Sequence, residues 1–316
     1  MIPDLTVVIP TYNSSRTLSK CLDSIRSQTS PPLEVIVVDR LSTDGTVGIA
    51  RSFGATVIEG LTNRSVARNI GIQHASSTGI LLIDSDMILS RTLIDECRNM
   101  LIEHEALVIP EVSAGRGFWV ECKTREREAN AGAGFLEAAR CFHRNLLISL
   151  GGGYNPKFEA GEDWDLHNRV KAMGIGFGRI KAKIIHDEGD SNLIGFLRKK
   201  FLYGRNLRHY VRENTIPGTK QFSPLYRILS PTIKVLPFDP AHGAGIFMLK
   251  TMELMVGGVG FILDQLNPLR NMYQLTDTER TSKAGREPTP RLFASGDLSR
   301  HILECDKSQP ISILLQ

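Results

Sequence analysis

Four short runs rich in β-branched residues govern the first part of the chain: LTVVIP at 5–10, LEVIVVD at 33–39, ATVIEG at 55–60 and GILLIDSD at 79–86. Between them lie stretches of helical period. Leu18, Leu22 and Ile25 fall on one helical face, with Ser14 or Ser15 placed as a cap. STDGTVGIARSFG reads as a turn and a short helix stopped by Gly54, and SVARNIGIQHASS as another helix. Strands that are apolar almost throughout, alternating with helices, predict an α/β fold with a mainly parallel sheet covered on both faces. Ligands of such sheets bind beyond the carboxyl ends of the strands. Polar residues gather there: Pro10, Thr11, Tyr12 and Asn13 after the first strand, Asp39 after the second, and Asp84 with Asp86 after the fourth.

Later segments continue the alternation. TLIDECRNMLIEH reads as helix and ALVIPEV as extended chain. Residues 111–135, rich in Gly, Ala and charge, read as a long mobile surface segment. RCFHRNLLISLGG reads as a strand and short helix. GEDWDLHNRVKAMG is a helix with acids at its N-terminal end, closed by Gly174, and KAKIIHDEG is a strand ending at His186. From Ser191 the character changes. LIGFLRKKFLYGRNLRHYVR is helical and carries six Lys and Arg between Arg198 and Arg212. Residues 244–263 are long enough to span a bilayer, but contain Lys250 and Glu253, which are costly at its centre. An interfacial or re-entrant hairpin is the expectation, with a buried core helix as the bland alternative. The predicted organisation is a catalytic domain over 1–215, a hydrophobic helical segment over 216–275 and a flexible tail over 276–316.

The net charge of +4 on 316 residues gives no global field for nucleic acid. Five scattered cysteines without a C-x-x-C pair argue against a disulfide framework or zinc site, and for reduced thiols. The N-terminal apolar run is short and lacks a basic flank, so a cytoplasmic catalytic part, at the cytoplasmic face of a membrane, is expected.

Two carboxylates spaced i, i+2 at a strand end can reach one cation. Their oxygens suit Mg²⁺ or Mn²⁺, which leave coordination positions for substrate phosphates. Alone, Asp-x-Asp is equally a solvated turn. Here it stands among VVIPTYN, VVDRLSTDGT, ARNIG, IDSDM and GEDWDL, in that order. Together these resemble the motifs of the family 2 glycosyltransferases, inverting enzymes of the GT-A (Rossmann-like) fold, over about residues 4–210. Arg40 and Leu41 depart from the pattern, standing where the family has Asp and Gly. Arg40 either reaches a phosphate or pairs with a local acid.

The resemblance implies a nucleotide-sugar donor and a divalent metal. Pro10, Thr11, Tyr12 and Asn13 would line the base and ribose pocket, and Asp39 would meet the base. Arg68 and Asn69 would stand near ribose, diphosphate or sugar. Asp84 and Asp86 would serve donor and metal, with His186 as a third ligand or a structural residue. Asp163 would be the general base, and Glu162 beside it would strengthen its hold on a proton. The bland reading is that both acids only complement a helix N-terminus. Trp164 would wall the acceptor side, or pack in the core. Arg205, within the basic cluster, would face a phosphate or anionic lipid, or solvent. With a lipid phosphate as acceptor no base is needed, and Asp163 would only position it.

The chain's tryptophans are Trp119 and Trp164, and neither fits the Q-x-x-R-W motif of processive synthases, so single addition is expected. The acceptor is lipid-linked or a saccharide, with peripheral membrane contact. Alternatives are a sugar nucleotidyltransferase, disfavoured because PTYNSSRT has no glycine, and an inactive sugar-nucleotide-binding scaffold.

Overall fold

A computed structural model describes residues 2–133, 136–213 and 223–266. The tail expected over 276–316, Cys305 and the boundary expected at 215/216 lie outside the described residues. The strands are β1 (Leu5–Thr11), β2 (Glu34–Asp39), β3 (Thr56–Glu59), β4 (Gly79–Leu82), β5 (Met87–Leu89), β6 (Ala106–Val108), β7 (Glu111–Gly115), β8 (Ala139–His143), β9 (Phe177–Arg179) and β10 (Ile184–Gly189). The helices are α1 (Ser15–Arg26), α2 (Thr46–Phe53), α3 (Arg64–His74), α4 (Leu93–Met100), α5 (Phe118–Ala129), α6 (Arg144–Ser149), α7 (Glu162–Ala172), α8 (Leu193–Asn206), α9 (Arg208–Glu213), α10 (Pro224–Val235) and α11 (Pro240–Gln265).

A seven-stranded sheet runs β3-β2-β1-β4-β8-β6-β9. Its first four strands are parallel, as the alternation predicts. β8 runs antiparallel to both of its neighbours, β4 and β6. Because side chains alternate across a strand, Val7 and Ile9 join Leu18, Leu22 and Ile94 in one core, while Val8 joins Ile72, Leu146 and Leu166 in the other. α3 seats closely on β1 because Gly71 faces Val8. A Cβ there would stand 2.2 Å from Val8 Cγ1. That close approach sets the depth at which Arg68 enters the site.

A smaller sheet, β5-β10-β7, carries the site's other wall. β10 pairs antiparallel with β5, opposing His186 to Met87, and continues to Gly189, past the predicted stop at His186. Segment 111–135 is not the expected mobile surface stretch where it is described: it forms β7 and α5. Its charges misled because several point inward. Glu126 is buried, and Val120 and Cys122 pack with Phe196, Ile246 and Leu249. Cys21, Cys97, Cys122 and Cys141 are buried free thiols.

The apolar segment 244–263 lies within one continuous helix, α11, rather than in a re-entrant turn. α11 is long and apolar enough to cross a membrane by length and composition. Lys250 and Glu253 turn inward, each 4% exposed, and pair with each other at 2.8 Å. The glycines serve helix contact: a Cβ on Gly204 of α8 would stand 2.1 Å from the Gly257 carbonyl oxygen of α11. Met255, Val259 and Ile262 on α11, and Leu225 and Ile233 on α10, remain exposed.

Candidate active site

β1 and β2 end side by side, with Thr11 opposite Asp39. Thr11 Oγ1 donates to Asp39 Oδ1 at 2.7 Å, and the Ser42 hydroxyl and amide donate to the two Asp39 oxygens, each at 2.7 Å. Asn13 Oδ1 accepts from the Thr43 amide at 3.0 Å, and the Asn13 amide donates to Ser42 Oγ at 2.8 Å. The two loops are thereby stitched together. Asp39 is wholly buried and does not line the cleft; in this geometry its carboxylate organises the two loops. Leu41 takes φ of 52°, left-handed backbone that explains why glycine suits the position. Arg40 lies over the Tyr12 ring, 5.5 Å from its centroid, a cation–π contact rather than a pairing with an acid.

A cleft of about 880 Å³ opens at this edge of the sheet. Pro10, Thr11, Tyr12, Asn13, Asp84 and Asp86 line it, as do Asp163, Trp164 and His186. The structure thus brings the predicted donor, metal and acceptor positions to one cavity. Arg68, Asn69, Glu162 and Arg205 do not line it. Asn69 spends its amide on the Tyr154 backbone, accepting from N at 2.9 Å and donating to O at 2.7 Å. The Arg205 guanidinium lies 6.0 Å from the Phe201 ring, on its own helix.

Arg68 is the hub beneath the cleft. Asn63 caps α3 by accepting from the Val66 amide at 2.9 Å, and the helix then puts Arg64 and Arg68 on one face. Wholly buried, Arg68 donates to Asp84 Oδ1 at 2.6 Å and to Asp163 Oδ1 at 2.9 Å, and lies 3.3 Å from Glu162 Oε1. Arg64 meets the same Glu162 oxygen at 3.2 Å. Tyr154 donates its hydroxyl to Asp163 Oδ1 at 3.1 Å, and Arg140 lies 3.6 Å from Asp163 Oδ2. Arg140 also bonds Glu111, whose other oxygen meets His186 Nε2 at 2.8 Å. A chain of charges therefore runs Asp84, Arg68, Asp163, Arg140, Glu111, His186.

These contacts set protonation. Burial alone would raise the Asp84 carboxyl, but Arg68 first, then Arg140 and Arg64, hold it well below the usual range. Burial likewise opposes ionisation of Glu111, and Arg140, backed by the His186 bond, outweighs it. Glu162 goes the other way: burial, then the Asp163 charge, raise it, and its two arginines do not cancel that. Arg64, Arg140, Glu111 and Tyr154 were missed by sequence reasoning. Arg140, a guanidinium beside Cys141 and Phe142 in the buried strand β8, was the signal available.

Among the described residues no three His, Cys, Asp or Glu side chains cluster closely enough to cage an ion. Asp86 nevertheless has no ion pair or side-chain hydrogen bond to its carboxylate among the described residues, and stands on the cleft wall next to the His186 strand. Its backbone oxygen accepts from the Asp187 amide at 2.8 Å, which fixes the turn. One free carboxylate, with Asp84 two residues away, fits an ion whose remaining ligands are substrate phosphate oxygens and water. His186 holds Glu111 through Nε2, which leaves Nδ1 as the ring nitrogen it could offer to an ion.

Residues 6–158 match the family model described as Glycosyl transferase family 2. Over those residues the chain is a family 2 glycosyltransferase domain. A glycosyltransferase of Mycobacterium bovis, described as PGL/p-HBAD biosynthesis glycosyltransferase, is 29% identical over 187 residues, covering 53% of this chain and 69% of that protein. Glycosyltransferase AglE of Haloferax volcanii is 39% identical over 94 residues, 27% of this glycosyltransferase and 31% of AglE. The mannosyltransferase PcManGT of Pyrobaculum calidifontis, solved with GDP-Man and Mn²⁺, superposes with a TM-score of 0.57 at 18% identity, covering 84% of this chain and 88% of that one. The fold of this family 2 glycosyltransferase is thus the α/β GT-A architecture, with an apolar C-terminal helix added.

Proposed function

We propose that this chain moves one sugar from a UDP- or GDP-sugar to a lipid-linked or saccharide acceptor, with inversion and without processive elongation. The observation that carries the reading is the single cleft bordered by the β1 and β2 loops, the Asp84–Asp86 turn and Asp163. Tyr12, stiffened by Arg40, offers a flat face to the base, and Asn13 holds that loop in place. Asp86, with Asp84 and His186 beside it, would hold Mn²⁺ or Mg²⁺, whose chemistry is to neutralise charge on the departing diphosphate. Asp163 faces the acceptor side with Trp164 as its wall. It either takes the acceptor hydroxyl proton as the oxygen attacks the anomeric carbon, or only positions an acceptor that is already anionic. Glu162 and Arg68 work beneath it, holding its orientation. That PcManGT was solved with GDP-Man and Mn²⁺ is in keeping with this donor and metal class.

The exposed apolar side of α10 and α11 supports peripheral contact with a membrane, and the exposed Arg198 and Lys234 would suit anionic headgroups. A 1–215 catalytic unit at the cytoplasmic face is the organisation we propose for this activity. The test is nucleotide release from a panel of UDP- and GDP-sugars, with and without Mn²⁺. Turnover of one donor, dependent on metal and acceptor, is expected. Binding of donors without any turnover would overturn the enzymatic reading.

A further inference from the structure

A second group of charges, outside the Arg68 chain, lines the cleft from α5, α8, α10 and α11. Lys123 Nζ donates to Glu126 Oε2 at 2.8 Å and stands 3.8 Å from Glu253 Oε1. Lys250 Nζ lies 3.0 Å from Glu126 Oε1 and 2.8 Å from Glu253 Oε2. Lys200 Nζ has one ion pair among the described residues, Glu253 Oε2 at a loose 3.9 Å. Arg227 has none there, and its guanidinium lies 5.7 Å from the Trp164 ring centroid. Three cations thus share two carboxylates and Arg227 stands apart from them, so this group holds two more cationic than anionic side chains. Lys123, Lys200 and Arg227 all line the cavity.

Such an excess on a concave, half-buried wall is unfavourable until an anion fills it. Lys200 registers that cost. Burial, with repulsion from Lys250, Arg227 and Lys123 added, outweighs Glu253 and brings its ammonium down to about 7. The loop and turn residues assigned to the donor take no part in this wall. Its contact with Trp164, the neighbour of Asp163, puts it on the acceptor side.

We propose that Lys123, Lys200 and Arg227 form a subsite for a phosphate group carried by the acceptor. The inference rests on the glycosyl-transfer reading and narrows it to phosphorylated acceptors. With Lys200 protonated, the two positive charges in excess match a phosphate monoester above its second ionisation. Arginine adds a planar pair of donors suited to phosphate oxygens.

Calorimetric titration of the full chain with sn-glycerol 3-phosphate tests it, with UDP and GDP titrated in parallel in Mn²⁺. A second arm measures binding to phosphatidylcholine vesicles with and without phosphatidic acid, and competition by glycerol 3-phosphate. The expected result is saturable phosphate binding that weakens at least tenfold in Lys200→Gln and in Arg227→Gln, with nucleoside diphosphate affinity held within twofold. Binding of the soluble probe alone identifies a soluble phosphorylated acceptor. Binding of phosphatidic acid vesicles that the soluble probe displaces identifies a lipid phosphate. The proposal is overturned if neither probe binds the native chain, or if both substitutions weaken UDP and GDP in step with phosphate, which would give the wall to the donor. Failure of the glycosyl-transfer reading would show separately, as native protein that binds neither UDP nor GDP.

Discussion

Arg68 Nη1 donates to Asp163 Oδ1 across 2.9 Å from a guanidinium with no solvent exposure. The helix that follows β3 thus fixes a carboxylate on α7, far away in sequence. Since Arg68 also holds Asp84, it sets the spacing between the donor and acceptor sides. Arg68→Met would leave Asp84, Glu162 and Asp163 without their shared cation. Breaking a buried pair costs about 3–5 kcal/mol. Denaturant unfolding should show a loss of that order, and donor turnover should be lost with it. Native-like stability in the variant would mean the hub is not structural.

Asp86 offers the opposite case. It stands on a turn with its carboxylate unpaired, so Asp86→Ala should shift stability by no more than about 0.5 kcal/mol. Metal-stimulated nucleotide release should nevertheless disappear. Thermal melts and a Mn²⁺ titration of turnover, run on the same preparation, check both halves.

For Asp163→Asn we expect transfer to fall by about two orders of magnitude or more, the range of general-base contributions. UDP or GDP affinity, measured by calorimetry, should stay within a few-fold of native. A collapse of nucleotide binding instead would move Asp163 to the donor side. An acceptor that brings its own anionic oxygen would soften the loss of rate and leave the affinity result unchanged.

His167 makes a prediction about acid stability. Its ring stacks on Phe177 at 3.9 Å, its Nδ1 accepts from the Ala139 amide at 3.3 Å, and burial followed by Lys171 push it from 6.5 down to about 4. A depressed folded value means that the unfolded chain binds the proton more readily. The contribution is therefore complete above about pH 6.5 and is lost as pH falls toward 4. Urea midpoints across that range should decline less steeply in His167→Gln than in the native chain, whatever the variant's starting stability.

Gly204→Ala should destabilise the contact of α8 with α11, because the new methyl would meet a backbone carbonyl that cannot rotate away. Overpacking of this kind costs about 1–3 kcal/mol. A lowered melting temperature is expected, and an unchanged one would indicate that the helices separate easily.

Much of this was legible in the sequence, for reasons that can be named. Asp84 and Asp86 interrupt an apolar run, so their place at a strand end followed from strand length alone. Leu41 marked a position whose backbone sign only coordinates reveal. Asp39 looked like a ligand because polar residues at strand ends usually face the cleft; here Thr11 and Ser42 claim it first. β7 and α5 escaped notice because Lys123 and Glu126 read as solvated charge, when their partners Lys250 and Glu253 lie far away in sequence. Those same two residues made α11 look costly in lipid. Pairing across distant segments leaves no trace in local pattern.

The crossing of Gly204 over Gly257 has one more consequence. Two backbones that touch without side chains between them leave no cushion, so α8 and α11 must shift as one piece. Lys200 and Tyr203 line the cavity from α8 and Glu253 from α11, while Met255 and Ile262 stand exposed on α11. Pressure on the outside of the molecule would accordingly be felt as a change in the bore of the cavity within.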